Sequence, residues 1–324
     1  MNTTQAQLGA VLTAGGPELA GLLDRTEARL AEVAAGGGPA LAGHAGGTLS
    51  AGGKRLRPIL VFLCADGDGD ESLVAAATAV ELLHVASLVH DDVLDGAALR
   101  RGRPTVFADG GRLAATATGD LLFSRAFAEL AGAGSEEAVR ALSAASSVLP
   151  RGELMQRADA WSPDVTPERY LERCRLKTAS LFDAACRLGA LLGGRPRLAG
   201  PLGHFGERVG LAFQMLDDVL DVVGPPERTG KPRGADLLDG TVTLPLILAR
   251  GRDPRLRSLE RPLHAEGAAS ICDRIAATGV LGEAREHALA HAAEAKRSLA
   301  EMELPEDRRH ALELVADGVV ARYA

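Results

Sequence analysis

The sequence predicts an all-α protein, and three observations carry that prediction. Apolar residues make up 46% of the 324 residues, and Ala, Leu and Val supply most of that share. Ala and Leu favour helices. No stretch of useful length alternates apolar and polar residues as a strand would. Because no change of composition marks a linker, we expect residues 1–324 to form one domain.

The helices can be placed in order from their apolar patterns and from the residues that interrupt them. Pro58 suits the first turn of a helix, and Thr166 suits an N-cap. Residues 71–95 are apolar nearly all round, which predicts a central helix. Helices are predicted over 18–35, 59–65, 71–95, 113–131, 136–149, 168–192, 200–223, 243–251, 265–276, 281–301 and 306–322, with another starting in 150–157. Loops are predicted over 96–105 and 224–243.

Charge and composition exclude several classes of protein. The net charge is −7 and aromatic residues make up 3%, which argues against a nucleic-acid-binding protein. No uninterrupted apolar run has the length of a transmembrane helix, and the N-terminus lacks the pattern of a signal peptide. We therefore expect a cytoplasmic protein with no transmembrane segment. Its thiols form no CxxC pair, which argues against zinc and disulfides: Cys64, Cys174, Cys186 and Cys272.

The pentapeptide Asp-Asp-Val-Leu-Asp occurs twice, at 91–95 and at 217–221. On a helix the first and last aspartates of each copy share a face, where like charges repel. A single acidic cluster is often only a solvated helix end. Two identical clusters inside apolar stretches instead indicate a site for divalent cations with oxygen ligands, above all Mg²⁺.

Basic residues accompany the acidic clusters in three groups: Lys54, Arg55 and Arg57; Arg100, Arg101 and Arg103; and the more widely spaced Lys177 and Lys231. Arginine forks, lysine charges and carboxylate-bound Mg²⁺ together suit a diphosphate. The sequence has neither a GxxxxGK[ST] loop nor a GxGxxG motif after a strand. We therefore do not expect the diphosphate to belong to ATP or to a dinucleotide.

These motifs resemble those of the trans-polyprenyl diphosphate synthases, from about residue 45 to the C-terminus. The matching blocks are GGKRLRP, ELLHVASLVHDDVLDGAALRRGRPTV, GDLLFSRAF, GELMQ, KTASLF, FQMLDDVLDVVG, GKPRGADL and GTVTLPLILA. The resemblance implies an isoprenoid synthase-type helical bundle around a central cavity, usually a homodimer. It also implies a Mg²⁺-dependent prenyltransferase that condenses an allylic diphosphate with isopentenyl diphosphate.

The resemblance implies three Mg²⁺ ions, two on the first pentapeptide and one on the second. The carboxylates expected at the metal site are Asp91, Asp95, Asp217 and Asp221. Asp92 and Asp218 are expected to take part in catalysis, and Asp218 and Asp221 to act through water or hydrogen bonds.

The resemblance also assigns residues to the two substrates. The allylic diphosphate is expected to contact Arg100, Lys177 and Lys231. The diphosphate of isopentenyl diphosphate is expected to contact Lys54, Arg57, His84 and Arg101. His84 precedes Asp91 by seven residues and so shares its helical stripe. Oxygens of Thr178 and Gln214 are expected to stabilise the allylic cation that forms when diphosphate leaves, and the released diphosphate is expected to take the final proton.

Two small residues, Ala86 and Ser87, lie five and four positions before the first aspartate, where the resemblance places the floor of the chain-elongation tunnel. Small side chains there, with the two-residue spacing of DDVLD, predict a product longer than geranylgeranyl diphosphate. Leu122, Phe123 and Phe127 on the next helix are alternative floor residues. One departure from the family pattern is Thr241, where many relatives have lysine.

Three other functions would also use acidic clusters of this kind or derive from them. A short-chain farnesyl or geranylgeranyl diphosphate synthase stays possible. A class I terpene cyclase shares the acidic motif but normally lacks the basic blocks for isopentenyl diphosphate. A non-catalytic partner subunit should have lost aspartates from one cluster, whereas both clusters are complete here.

Overall fold

The computed structural model describes residues 3–36, 38–50, 53, 55–66, 70–100, 102–224, 232–259 and 263–321. Over this part of the chain the helices are α1 (Thr3–Ala14), α2 (Pro17–Gly36), α3 (Gly38–Ser50), α4 (Leu56–Cys64), α5 (Glu71–Asp95), α6 (Val106–Ala131), α7 (Glu136–Ala158), α8 (Pro167–Cys174), α9 (Ser180–Leu192), α10 (Ala199–Val223), α11 (Ala235–Leu238), α12 (Leu244–Arg252), α13 (Ala265–Ala277), α14 (Val280–Ala300) and α15 (Glu306–Ala321). A π-helical segment, Arg175–Ala179, joins α8 to α9. Short 3₁₀ turns occupy Pro196–Leu198 and Pro254–Arg257. The all-α prediction is confirmed.

Helix α5 begins and ends where the sequence predicts, because both of its ends are capped. At the start, the Asp70 carboxylate accepts hydrogen bonds from the backbone N–H groups of Ser72 and Leu73, at 2.9 and 3.1 Å, which satisfies two donors of the first turn. At the end, Gly96 takes the left-handed conformation with φ 62°, which closes the helix. The caps therefore fix the first acidic pentapeptide in the last turns of α5.

Two predicted boundaries between α5 and α7 are wrong. The loop predicted over 96–105 contains a minimal hairpin, in which strand β1 (Leu99–Arg100) pairs antiparallel with strand β2 (Arg103–Pro104). Helix α6 then starts at Val106, seven residues earlier than predicted. Gly111 breaks its helical geometry with φ 74°, so the apolar pattern becomes regular only beyond this kink.

Two further predictions are wrong: the helix break near residue 150 and the uninterrupted helix over 168–192. The sequence predicts one helix over 136–149 and the start of another in 150–157, but α7 continues through Pro150, although proline lacks a backbone donor. The single helix predicted over 168–192 is interrupted by the π segment. A π turn inserts one extra residue into a helix, and no particular residue type marks it. The apolar pattern therefore does not reveal the segment Arg175–Ala179.

The core is centred on α5, α9 and α10. Helix α5 packs along α6, and α10 packs against α9 and α14. Helix α5 is also long and apolar enough to cross a membrane, but 72% of that stretch is buried inside the protein. Its composition is therefore that of a core helix.

Arg55 joins four helices near the N-terminal end of α4. Its backbone has φ 46°, and one of its Nη atoms lies 2.5 Å from Oε1 of Glu81 on α5. The other donates to Oε2 of Glu27 on α2 at 3.0 Å and to the carbonyl oxygen of Leu49 on α3 at 2.8 Å. The side chains of Arg55 and Glu81 are 9% and 7% exposed. Arg55 therefore holds helices α2, α3, α4 and α5 together.

Replacing Arg55 with Ala should lower the free energy of unfolding by about 3 kcal/mol, because Glu81 would remain buried without its cation. Urea unfolding followed by circular dichroism measures the change. Arg140→Ala is the matched control, since Arg140 pairs with Glu136 on the surface with 76% and 79% exposure. It should cost less than about 1 kcal/mol. Equal effects of the two substitutions would contradict a special role for the buried pair.

Candidate active site

The two acidic pentapeptides lie at the C-terminal ends of the two central helices, α5 and α10. The backbone carbonyl groups at a helix C-terminus carry partial negative charge. Three aspartates in such a position repel both one another and the helix end. Each cluster therefore needs positive charge or hydrogen-bond donors from neighbouring elements.

The first cluster receives cations from three separate elements. Arg100 of β1 lies with both Nε and one Nη 2.8 Å from Oδ1 of Asp92. Arg157 near the end of α7 donates to Oδ1 of Asp95. Lys177 of the π segment forms an ion pair with Glu153 of α7. The structure thus brings Arg100 and Lys177 near the first pentapeptide, and their predicted contact with the allylic diphosphate stays a prediction.

Asp91 remains the least compensated carboxyl group of this cluster. Its pKa is raised to about 6, chiefly by burial; the charge of Lys177 lowers it, the negative charges of Glu153 and Asp95 raise it, and Arg100 lowers it slightly. For Lys177, burial lowers the pKa, but Asp91 and Glu153 outweigh burial and raise it. Asp91 of α5 and Lys177 of the π segment therefore stabilise each other's charged form.

The second cluster is organised by a chain of hydrogen bonds. Thr178 of the π segment donates through its hydroxyl to Oε1 of Gln214 at 2.7 Å. Gln214 in turn donates through Nε2 to Oδ1 of Asp218 at 2.8 Å. The hydroxyl of Tyr170 donates to Oδ2 of Asp218 at 2.7 Å. Burial, followed by the charge of Asp236, raises the pKa of Asp218. Asp218 therefore orients Gln214 from inside the protein.

The two other aspartates of this cluster differ from each other. Both carboxylate oxygens of Asp221 accept backbone N–H groups of α11, from Ala235 at 3.0 Å and from Asp236 at 3.2 Å. Asp221 thus holds the N-terminus of α11 against α10. Asp217 is half-buried one turn earlier. The supporting role predicted for Asp221 at the metal site stays a prediction.

The π segment lies between the clusters. Lys177 contacts Glu153 and Gln156 of α7 and acts electrostatically on Asp91. Thr178, in contrast, reaches Asp218 through Gln214. Two glycines let neighbouring helices approach the backbone of this segment. A Cβ atom on Gly152 of α7 would lie 2.7 Å from the backbone nitrogen of Lys177, and one on Gly210 of α10 would lie 2.7 Å from Cα of Ala179. These close contacts place Lys177 between α5 and α7, and Thr178 against α10.

The residues predicted for the second diphosphate are only partly described. Arg57 of α4 lies with its guanidinium carbon 4.7 Å from the ring centre of Phe182 on α9, a cation–π distance. His84 is half-buried on α5. Three predicted residues lie outside the described part of the chain: Lys54, Arg101 and Lys231.

The predicted floor residues lie on α5, within the core. Ala86 is fully buried, and the half-buried Ser87 donates its hydroxyl to the carbonyl oxygen of His84 at 2.7 Å. On α6, the half-buried rings of Phe123 and Phe127 have centres 5.8 Å apart. Thr241, at the position that the sequence marks as a departure, donates its backbone N–H to the carbonyl oxygen of Asp236 at 2.8 Å.

Sequence reasoning assigned no role to four residues that the structure brings to the site: Glu153, Gln156, Arg157 and Tyr170. Gln156 accepts a hydrogen bond from Lys177 at 3.3 Å. Glu153, Gln156 and Arg157 lie three and four residues apart on α7, so they share a face. The spacing of the polar residues in GELMQR indicates that they share a helix face, but it does not show which helix that face contacts.

The chemistry of the carboxylates fits a divalent cation. Over the described residues, no preformed group of three or more His, Cys, Asp or Glu side chains is close enough to hold a metal. However, Asp91 and Asp95 offer hard oxygen ligands one helical turn apart. Burial raises the pKa of Asp91, and a divalent cation bound there would stabilise its charged form.

Comparison with known proteins shows consistent relationships. The sequence model for polyprenyl synthetase matches residues 39–272. Heptaprenyl diphosphate synthase component 2 of Geobacillus stearothermophilus is 47% identical over 204 residues, which span 62% of this chain and 64% of that relative, less than two thirds of its length. A short chain isoprenyl diphosphate synthase of Methanothermobacter thermautotrophicus is 38% identical over 290 residues, 85% of this chain and 88% of the relative. The crystal structure of a polyprenyl synthase from Caulobacter crescentus, complexed with calcium and isoprenyl diphosphate, superposes with a TM-score of 0.87 at 34% identity over 98% of both chains. The predicted isoprenoid synthase-type fold is confirmed.

Replacing Gly152 with Ala should lower the free energy of unfolding by about 1–3 kcal/mol, because the added methyl group would meet the backbone of Lys177. Urea unfolding measures the change. Gly21→Ala on α2 is the matched control, since nothing lies within 4 Å of its Cβ position. That substitution should raise stability by roughly 0.5–1 kcal/mol. A gain of stability at Gly152 would show that α7 is not held close to the π segment.

Proposed function

We propose that this chain, which belongs to the polyprenyl synthetase family, condenses an allylic diphosphate with isopentenyl diphosphate into an all-trans polyprenyl diphosphate. The observation that carries the proposal is that two consecutive residues of the π segment are linked to the two acidic clusters: Lys177 by its electrostatic interaction with Asp91, and Thr178 through Gln214, which bonds Asp218. Carboxylates for a metal, a lysine for a diphosphate and neutral oxygens for a cation thus meet around one backbone segment.

The metal in this proposal is Mg²⁺, held by Asp91 and Asp95 on α5 and by Asp217 on α10. When bound, Mg²⁺ supplies Lewis acidity to a diphosphate leaving group. Asp92 is buried and paired with Arg100, so it fixes the hairpin beside the metal ligands. Asp221 fixes α11 in the same way at the second cluster. The number of ions, three, remains a prediction.

Loss of the allylic diphosphate requires positive charge on the leaving group and electron-rich oxygens near the carbon that becomes cationic. Lys177 supplies the charge from a half-buried position, and Arg100 adds more while it holds Asp92. The Thr178 hydroxyl donates its hydrogen bond to Gln214. The lone pairs of the hydroxyl oxygen therefore stay available to face the allylic cation. Fixed dipoles of this kind stabilise developing charge without reorganisation. The released diphosphate takes the final proton, and no side-chain base is required.

The second substrate, isopentenyl diphosphate, would bind near the N-terminal end of α4. Arg57 is already held by the face of Phe182, so its guanidinium is preorganised for a diphosphate. His84 on α5 lies on the stripe that continues to Asp91. Lys54 and Arg101 are proposed to complete this subsite, and Lys231 the allylic one.

We propose a product longer than geranylgeranyl diphosphate because the residues on α5 just before the first cluster, Ala86 and Ser87, have small side chains. The similarity to a heptaprenyl diphosphate synthase component supports this reading. The similarity to a short chain isoprenyl diphosphate synthase favours a second candidate, a short-chain synthase, in which Phe123 and Phe127 would form the floor. A single catalytic domain, a homodimer and a cytoplasmic location remain predictions, and the terpene cyclase and partner-subunit readings remain less favoured.

Incubation with labelled isopentenyl diphosphate, farnesyl diphosphate and MgCl₂ should give products longer than geranylgeranyl diphosphate, sized by reversed-phase chromatography. EDTA should abolish synthesis and added MgCl₂ should restore it, because the carboxylates need a divalent cation to bind diphosphate. Products no longer than geranylgeranyl would support the short-chain candidate. A cyclic hydrocarbon formed without isopentenyl diphosphate would instead indicate a terpene cyclase.

Ala86→Phe should shorten the products, because a phenyl ring at this buried position would obstruct the space that the growing chain enters. Ser87→Phe provides a second test at a half-buried position, in case Ala86→Phe impairs folding. The control is Ala290→Phe on the exposed side of α14, which should leave product length unchanged. Unchanged products from both α5 variants would remove Ala86 and Ser87 from the tunnel.

A further inference from the structure

Arg157 contacts the acidic residue that closes the first pentapeptide. It is the penultimate residue of α7, and it donates through Nη2 to Oδ1 of Asp95, 62 residues away in sequence. Its Nε lies 3.3 Å from Oε1 of Glu153, one turn earlier on the same helix. The side chains of Arg157 and Asp95 are 35% and 29% exposed. The guanidinium therefore sits between two carboxylates at the rim of the site.

This position conflicts with metal binding through Asp95. A divalent cation needs direct access to carboxylate oxygens, and Oδ1 of Asp95 already accepts from the guanidinium. Two cations at one carboxylate also repel each other, and their repulsion is strong at separations of a few ångströms. Metal and guanidinium therefore compete for Asp95.

The charge balance of the cluster gives Arg157 a reason to be there. Asp92 is paired with Arg100, and Glu153 with Lys177. Without Arg157, Asp95 would add its full charge beside Asp91, whose pKa burial and negative neighbours already raise. Arg157 thus supplies positive charge that the cluster needs before a metal arrives.

We propose that Arg157 is a displaceable counter-cation: it neutralises Asp95 in the metal-free protein and is replaced there when a divalent cation binds. Glu153, already in contact, keeps the displaced guanidinium beside the site. Arg157 is thus a positioning residue that sets the metal affinity of the first cluster. This inference rests on the proposed metal site.

The test is Mn²⁺ binding in the absence of substrate, followed by the loss of the free-ion signal in electron paramagnetic resonance. Arg157→Gln should bind Mn²⁺ about tenfold more tightly than the natural chain, because a competing unit charge is removed. Arg157→Lys keeps the charge and should stay within about threefold of the natural chain. Arg140→Gln, on the same helix but paired with Glu136 at the surface, should leave the affinity unchanged.

Thermal unfolding separates this role from a merely structural one. In EDTA, Arg157→Gln should melt at a lower temperature than the natural chain. In saturating Mn²⁺ the gap should close, since tighter binding stabilises the folded state more. A gap that persists with metal would show a structural ion pair and overturn the proposal.

The outcomes also separate this inference from the function on which it rests. If Asp95→Asn abolishes Mn²⁺ binding but Arg157→Gln binds no more tightly than the natural chain, the role of Arg157 is overturned and the metal site stands. If the natural chain binds no Mn²⁺, or Asp95→Asn binds it equally well, the metal site fails and the inference fails with it.

Discussion

The close approach of α7 and α10 to the π segment is the constraint on which the site depends. Gly152 and Gly210 lie against the backbone of Lys177 and Ala179 from these two helices. A side chain at either glycine would hold its helix away from that backbone. Consecutive side chains of the segment point in different directions, so that Lys177 contacts Glu153 of α7 and Thr178 contacts Gln214 of α10. π turns are frequent at functional sites, and here the turn lies between groups from α7 and α10 and interacts electrostatically with Asp91 of α5.

Electrostatics then determines how the clusters are maintained before any substrate binds. The first cluster balances its carboxylates with Arg100, Arg157 and Lys177, each from a different element. The second uses hydrogen bonds from Tyr170 and Gln214 within the protein. In an ion pair at a partly exposed rim, another cation can replace the basic side chain, whereas hydrogen bonds to a buried carboxylate hold a fixed geometry. The first cluster is therefore suited to binding and release, and the second to orientation.

How much could be predicted from the sequence depended on whether the signal was local. The caps of α5 are formed by Asp70 and Gly96, adjacent to the helix they close, and its boundaries were predicted correctly. Helix α7 was divided wrongly at Pro150, because the favourable packing of a whole helix outweighs one lost backbone donor. The π segment carries no residue signature. Likewise, the sequence GELMQR indicates a polar face on α7. The contact of this face with Asp95 joins residues 62 positions apart, and spacing along one helix does not reveal it.

The two identical pentapeptides show how far sequence identity and role can separate. In both, the second aspartate is buried, Asp92 at 2% and Asp218 at 3% exposure, because it faces the core from the same helical position. The last aspartates differ: Asp95 meets a guanidinium at the rim, whereas Asp221 accepts two backbone N–H groups of α11. An arginine side chain can rotate away, but the N-terminus of a packed helix cannot leave without unfolding the segment. The same five residues thus form an exchangeable site on α5 and a fixed one on α10, and the neighbouring elements decide which.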